Sequence, residues 1–147
     1  MVHDENGTMQ DEIARLRAVA EQALVHSYAP YSQYPVGAAV MTVAGEIFGG
    51  CNVENAAFPL GLCAEANAIG IMVAARGPTL IRAVLVAVAV TPRAWPCGGC
   101  RQRLQEFAAE GAMVHAVGAD GHVLSRPLAV LLPESFGPTN LGHSHTE

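Results

Sequence analysis

Cys63-Ala64-Glu65 and Pro96-Cys97-Gly98-Gly99-Cys100 give this chain of 147 residues three well-spaced sulfurs and one carboxylate beside them. Zinc closed by four protein ligands is structural, whereas zinc with three ligands keeps a position for water and is catalytic. Cys63, Cys97 and Cys100 would hold one Zn²⁺ per chain in the second form. Glu65, two residues from the first ligand, would move protons beside the metal. Both ligand segments fall where helices are expected to begin. Free backbone N–H groups and the positive dipole end there stabilise thiolates. The pattern reads as a catalytic site, and so as an enzyme.

Two other chemistries use parts of it. Trp95-Pro96-Cys97-Gly98-Gly99-Cys100, after a strand and opening a helix, also suits a thiol–disulfide oxidoreductase. That reading leaves Cys63 and Glu65 without a purpose. A structural zinc knuckle needs a fourth ligand, and Cys51 is the one spare sulfur. Cys51 reads instead as a thiol packed beside the loop. His26, His115 and His122 have no partner at metal spacing, and His143 and His145 lie near the C-terminus.

The positioning elements follow from periodicity. Ile13, Leu16, Ala20 and Leu24 recur at helical spacing, so a first helix of about four turns is expected before Pro30. Pro35 to Val43 and Glu46 to Asn52 read as strands joined at Ala44-Gly45. Cys63 to Ala75 is apolar nearly all round, the mark of a buried helix. Ile81 to Val90 is a β-branched and Ala run suited to a central strand covered on both faces. A helix is expected over Cys97 to Glu110, with Leu104 and Phe107 inward. Strands over Met113 to Val117 and His122 to Leu124 follow, then a turn at Leu131-Leu132-Pro133. The order αββαβαββ predicts a three-layer α/β/α domain around a mixed five-stranded sheet. Residues 1–10 and 139–147 read as flexible tails on a single domain over 11–138.

Composition narrows the partners. Apolar residues make up 51% and charged residues 14%, which is greasy for a small monomer and points to surface covered by other subunits. The net charge is −5, with eight Lys and Arg spread thinly. Nucleic-acid binders carry a basic face, so the expected partner is a small, uncharged or weakly charged molecule and not a nucleic-acid polymer. No apolar stretch reaches the length of a membrane span, and the polar start does not resemble a signal peptide. Four cysteines in a chain with this core suit metal ligation in a reducing cytoplasm better than disulfides.

A Cys₃ set with a non-ligand Glu and a Pro-Cys-x-x-Cys run is a recorded signature of zinc deaminases. Five blocks, in order, make the match specific. They are Pro30-Tyr31-Ser32-Gln33-Tyr34-Pro35-Val36-Gly37-Ala38, Gly50-Cys51-Asn52-Val53-Glu54-Asn55-Ala56, Cys63-Ala64-Glu65, Pro96-Cys97-Gly98-Gly99-Cys100-Arg101-Gln102 and Leu131-Leu132-Pro133-Glu134-Ser135-Phe136-Gly137-Pro138. From about Tyr28 to Pro138 the chain resembles the short cytidine deaminases that act on free nucleosides. The resemblance implies hydrolytic deamination of cytidine and 2′-deoxycytidine to uridine and 2′-deoxyuridine, in pyrimidine salvage, by a homotetramer with shared active sites. It implies that Asn52 and Glu54 bind the ribose 3′-hydroxyl, that the Ala64 N–H holds the pyrimidine O2 and that Tyr34 packs on the nucleoside. Phe136 would reach in from a neighbouring subunit to stack on the base. Glu65 would carry one proton from water to N3 and a second to the departing amino group.

Three positions depart from the family pattern. Ala66 stands where many members carry an Arg that offsets the thiolate charge. The helix N-termini and Arg101 would supply part of the compensation, and the pH optimum is expected above that of an Ala66→Arg variant. Phe58 replaces a frequent Tyr, which removes a hydroxyl donor near the ribose. Trp95 stands where a small residue usually precedes the Pro, near the leaving amino group. Together these changes predict that cytidines acylated or alkylated on N4 are also accepted.

Overall fold

The Ile81–Val88 run, apolar except for Arg82, has to be covered on both faces, and the architecture is built around it. The computed structural model describes residues 5–144, so His145 lies outside the described residues. In chain order the elements are α1 (Glu5–Leu24), β1 (Val36–Thr42), β2 (Ile47–Cys51), α2 (Ala64–Arg76), β3 (Ile81–Val88), α3 (Gly98–Phe107), β4 (Ala108–Val117), β5 (Val123–Pro127) and the short α4 (Leu128–Leu131). Single 3₁₀ turns cover Phe58–Leu60 and Pro138–Leu141. The strand order is β2-β1-β3-β4-β5. β3 pairs parallel with β4 and antiparallel with β1, and both outer pairings are antiparallel, so the sheet is mixed as expected.

Strand side chains alternate between faces, and the two faces receive different helices. On one, Ile13, Leu16 and Ala20 of α1 pack on Ala39, Met41, Ala83, Leu85, Ala87 and Val117. On the other, Ala68, Ile69 and Met72 of α2, Leu104 of α3 and Leu128 pack on Val40, Val84, Val86 and Val114. Two glycines set how closely the layers approach. A Cβ on Gly37 would run into the Ala20 carbonyl of α1 and come within 2.8 Å of Leu24 Cβ. One on Gly50 would run into the Ala68 amide of α2 and come within 2.6 Å of the Ala64 carbonyl. Gly50 therefore lets the first turn of α2 sit directly on β2.

Several boundaries differ from the sequence reading. α1 starts at Glu5, inside the stretch 1–10 expected as a tail. Its early turns have partners that periodicity does not reveal: Glu12 pairs with Arg82 at 2.5 Å, and Thr8 and Met9 share a hollow with Met113 and His115. α1 ends six residues before Pro30, because Tyr28 turns its N–H to the Asn52 carbonyl at 3.0 Å. α3 stops at Phe107 instead of Glu110, and Ala108-Ala109-Glu110, helix formers by propensity, open β4. Pairing of Ala108 with Ile81, through an irregularity in the β3–β4 register, overrides that propensity. β5 runs on to Pro127, and the turn expected at Leu131 is helix α4. Pro138–Leu141 is a 3₁₀ turn that enters the expected C-terminal tail.

Candidate active site

α2 and α3 both begin on the same side of the sheet, and a cysteine is the N-cap of each: Cys63 for α2, Cys97 for α3. The Cys63 carbonyl accepts from the Asn67 N–H at 3.1 Å and the Cys97 carbonyl from the Arg101 N–H at 2.9 Å. Each thiol is thereby fixed to a helix start. Cys100 follows one turn into α3 and is fully buried. The three sulfurs lie within 4.8 Å of one another, those of Cys63 and Cys97 at 4.0 Å. Zinc–sulfur bonds of about 2.3 Å in a tetrahedron separate sulfurs by about 3.8 Å, so this donor set fits zinc after a small closure. Cys51 is not in the cluster; its carbonyl instead accepts from Asn67 Nδ2 at 2.8 Å, tying α2 to the end of β2.

Glu65 lies in the first turn of α2 and is 4% exposed. Burial raises its pKa, against the opposing effects of its own backbone N–H, the Cys100 thiol and the Arg103 guanidinium. Without a metal the thiols do not share their charge evenly. Burial, and then the negative groups Glu65, Cys63 and Cys97, push Cys100 far up. Burial also raises Cys63. Burial works in the same direction at Cys97, but the Cys100 N–H and the neighbouring thiols outweigh it and leave the net shift downward. A buried carboxyl beside three such thiols is electrostatically stable once a dication compensates them.

The cluster opens into a cavity of about 560 Å³ lined by Tyr34, Asn52, Glu54, Phe58, Ala64 and Glu65 among others. Asn52 has a fixed orientation. Its Oδ1 accepts from the Val36 N–H at 2.8 Å and from the Ser27 hydroxyl, and its Nδ2 donates to the Tyr34 carbonyl at 2.9 Å. One Nδ2 hydrogen is left to donate. Glu54 accepts from the Tyr31 and Ser32 N–H groups at 2.9 and 3.1 Å. The Ser32 hydroxyl, then these amides, hold its pKa below the usual value. Phe58 packs edge-on against Tyr31, with centroids 5.6 Å apart.

Of the residues singled out from sequence, two do not line this cavity. Cys100 lies beneath it, and Phe136 is 58% exposed, with its carbonyl held by Gln102 Nε2 at 2.9 Å. Trp95 lines it, and Arg126 sits 6.0 Å over its ring. Tyr31, Ser32, Val36, Val53, Asn55, Gly61, Leu62, Val86 and Ala94 line it as well, without having been singled out from the sequence. Ser32 and Tyr31 sit inside a quoted motif, but nothing in β3 distinguishes Val86 from its core neighbours. Arg101 makes no hydrogen bond to the thiols among the described residues; its Nε and Nη1 donate to the Pro96 and Leu131 carbonyls at 2.7 and 2.9 Å. The basic group at the cluster is Arg103, whose Nη1 is 4.0 Å from Cys100 Sγ.

Comparison with known proteins agrees with this geometry. The family model for the cytidine and deoxycytidylate deaminase zinc-binding region matches residues 10–116. A cytidine deaminase of Sporosarcina psychrophila is 32% identical over 90% of this chain and 97% of its own length. One of Mycobacterium tuberculosis is 36% identical over 86% and 90%. The crystal structure of cytidine deaminase from Burkholderia pseudomallei superposes with a TM-score of 0.78 at 36% identity, over 84% of this chain and 98% of that one. With three thiols in zinc-binding array at two helix starts and a matching fold around them, the chain belongs to the zinc-dependent cytidine and deoxycytidylate deaminase family and is an enzyme of that family.

Proposed function

We propose that the protein hydrolyses free cytidine and 2′-deoxycytidine to uridine and 2′-deoxyuridine, releasing ammonia, in cytoplasmic pyrimidine salvage. The observation that carries this reading is the pairing of the thiol cluster and Glu65 at one part of the cavity with Asn52 and Glu54 on its wall. Cys63, Cys97 and Cys100 would hold zinc, which would supply Lewis acidity and an acidified water. Glu65 takes the proton of that water and delivers it to N3 of the base as the oxygen bonds to C4. It then carries the second proton to the amino group, which leaves as ammonia, and the C4 oxygen becomes the uracil carbonyl. Burial raises the pKa of Glu65, which makes its carboxylate a stronger proton acceptor than an exposed one.

Binding roles follow from what each group has left to give. Ala64 is the first residue of α2, so its N–H has no helical acceptor and can meet the pyrimidine O2. The remaining Nδ2 hydrogen of Asn52 donates to the ribose 3′-oxygen, and the Glu54 carboxylate accepts that hydroxyl's proton. Tyr34 and Phe58 cover the nucleoside. Phe136, exposed and away from the cavity of its own chain, stacks on the base bound by a neighbour in a homotetramer. Exposed Phe58, Leu60 and Leu62 at the cavity mouth, and Ile71 on the outer face of α2, are the apolar surface such an assembly would cover. Ala94 and Trp95, just before Cys97, line the wall beside the departing group, and on this basis N4-substituted cytidines are substrates as well.

Loss of cytidine ultraviolet absorbance with stoichiometric ammonia tests the reaction. No change with zinc-loaded protein rejects it. N4-acetylcytidine, assayed beside cytidine, should yield uridine and acetamide; its full resistance removes only the N4 extension. Sedimentation should give four chains, and a stable active monomer would reject the shared site.

A further inference from the structure

We infer that Arg103 is the charge-balancing and positioning residue of the metal site, donating to Cys100 Sγ and offsetting the negative charge of three thiolates. The inference rests on the zinc deaminase reading. Zinc with three thiolates carries a net charge of −1, and the Glu65 carboxylate adds to it. In α2 the position after Glu65 is Ala66, which offers no charge. Arg101 has the closest place in sequence, but its Nε and Nη1 donate to the Pro96 and Leu131 carbonyls, and none of its hydrogen bonds among the described residues goes to a thiol. Arg103 remains, one turn after Cys100 on the same face of α3. Its guanidinium folds back toward the helix start, with Nη1 4.0 Å from Cys100 Sγ. Gly99 makes room for it, since a Cβ there would come within 3.1 Å of that nitrogen.

The direction of this fold is informative. A helix dipole disfavours a cation near the N-terminus. Arg103 is an exposed residue with solvent available to it, yet its charge is turned to the unfavourable end of α3. Thiolates formed there on zinc binding would account for the choice. The cation that the family pattern would set on α2 is thus supplied by the facing helix.

Zinc release separates this role from simple packing. Zinc-loaded wild type, Arg103→Met and Arg103→Lys are each mixed with excess 4-(2-pyridylazo)resorcinol, and zinc transfer is followed by absorbance. Arg103→Met should release zinc about tenfold faster, the scale seen when a group just outside the ligand set is removed. Arg103→Lys, which keeps the charge, should stay within about threefold of wild type. Equal release by wild type and Arg103→Met overturns the inference, and so does Arg103→Lys releasing as fast as Arg103→Met. Wild type that binds no zinc rejects the deaminase reading itself, a result distinguishable from either of these.

Discussion

Among the described residues each face of the sheet buries a carboxyl or an imidazole, and only one of the two is placed for chemistry. Glu65, on the α2–α3 face, borders a cavity and three thiols. His115, on the α1 face, is 2% exposed, and its Nδ1 is 2.7 Å from Ser125 Oγ. Burial shifts both toward their neutral forms, raising the carboxyl and lowering the imidazole to about 4. The difference lies in what surrounds them. Among the described residues, His115 has Ser125 as a hydrogen-bond partner, shares its hollow with the Glu12–Arg82 ion pair and belongs to no metal-ligating cluster. Glu65 sits where two helix starts converge. A perturbed pKa therefore marks a site here only when backbone geometry gathers further functional groups around it.

Substitutions on the two faces should separate activity from stability. The largest contrast is Cys100→Ser against Leu16→Ala. The first removes a ligand and should lower both zinc occupancy and kcat/KM by more than about 100-fold, since changes outside the ligand set already cost 10- to 100-fold. Leu16→Ala should cost about 2–5 kcal/mol in urea unfolding while kcat of the folded protein stays unchanged. Equal losses of activity in the two variants would erase the contrast.

His115 gives the α1 face its own pH dependence. In the unfolded chain it takes up a proton below its ordinary value of 6.5, whereas the folded protein resists until about 4. Stability is therefore full above pH 6.5 and falls as pH drops from 6.5 toward 4, by about 3 kcal/mol from this group. Urea unfolding of wild type and His115→Gln at pH 7 and pH 4.5 should show the loss to be smaller in the variant. Parallel loss in both would remove His115 as its source.

Gly49 and Gly50, neighbours in β2, face opposite layers. A Cβ on Gly49 would come within 2.8 Å of the Val19 side chain of α1, whereas one on Gly50 would meet the α2 backbone beside Cys63. Both Ala variants should lose about 1–3 kcal/mol of stability. Only Gly50→Ala should also weaken zinc retention. The smallest effect is expected at the cavity mouth, where Phe58→Tyr restores a hydroxyl donor near the ribose. It should lower KM about threefold, the scale of one hydrogen bond; an unchanged or higher KM would count against Phe58 as a nucleoside contact.

Much of this was legible in the chain. Alternating and continuous apolar runs define five strands in the observed order, and Cys63, Glu65, Cys97 and Cys100 announce the site through spacing alone. The misses share one cause: sequence does not say where a long side chain or a strand edge goes. Arg101, expected to offset thiolate charge, donates instead to two carbonyls, and Arg103, at helical spacing from Cys100, lies outside every motif. Ala108-Ala109-Glu110 reads as helix because its partner Ile81 is far away in sequence. Phe136, expected to act on a neighbouring subunit's site, lies outside the cavity of its own chain.

The most direct test is Glu65→Gln, assayed for zinc and for turnover on the same preparation. The amide keeps the size of the side chain but cannot accept a proton. One zinc per chain, wild-type melting and a fall in kcat of about 10²- to 10⁴-fold are predicted. A zinc-loaded Glu65→Gln protein that deaminates cytidine at the wild-type rate would contradict the account.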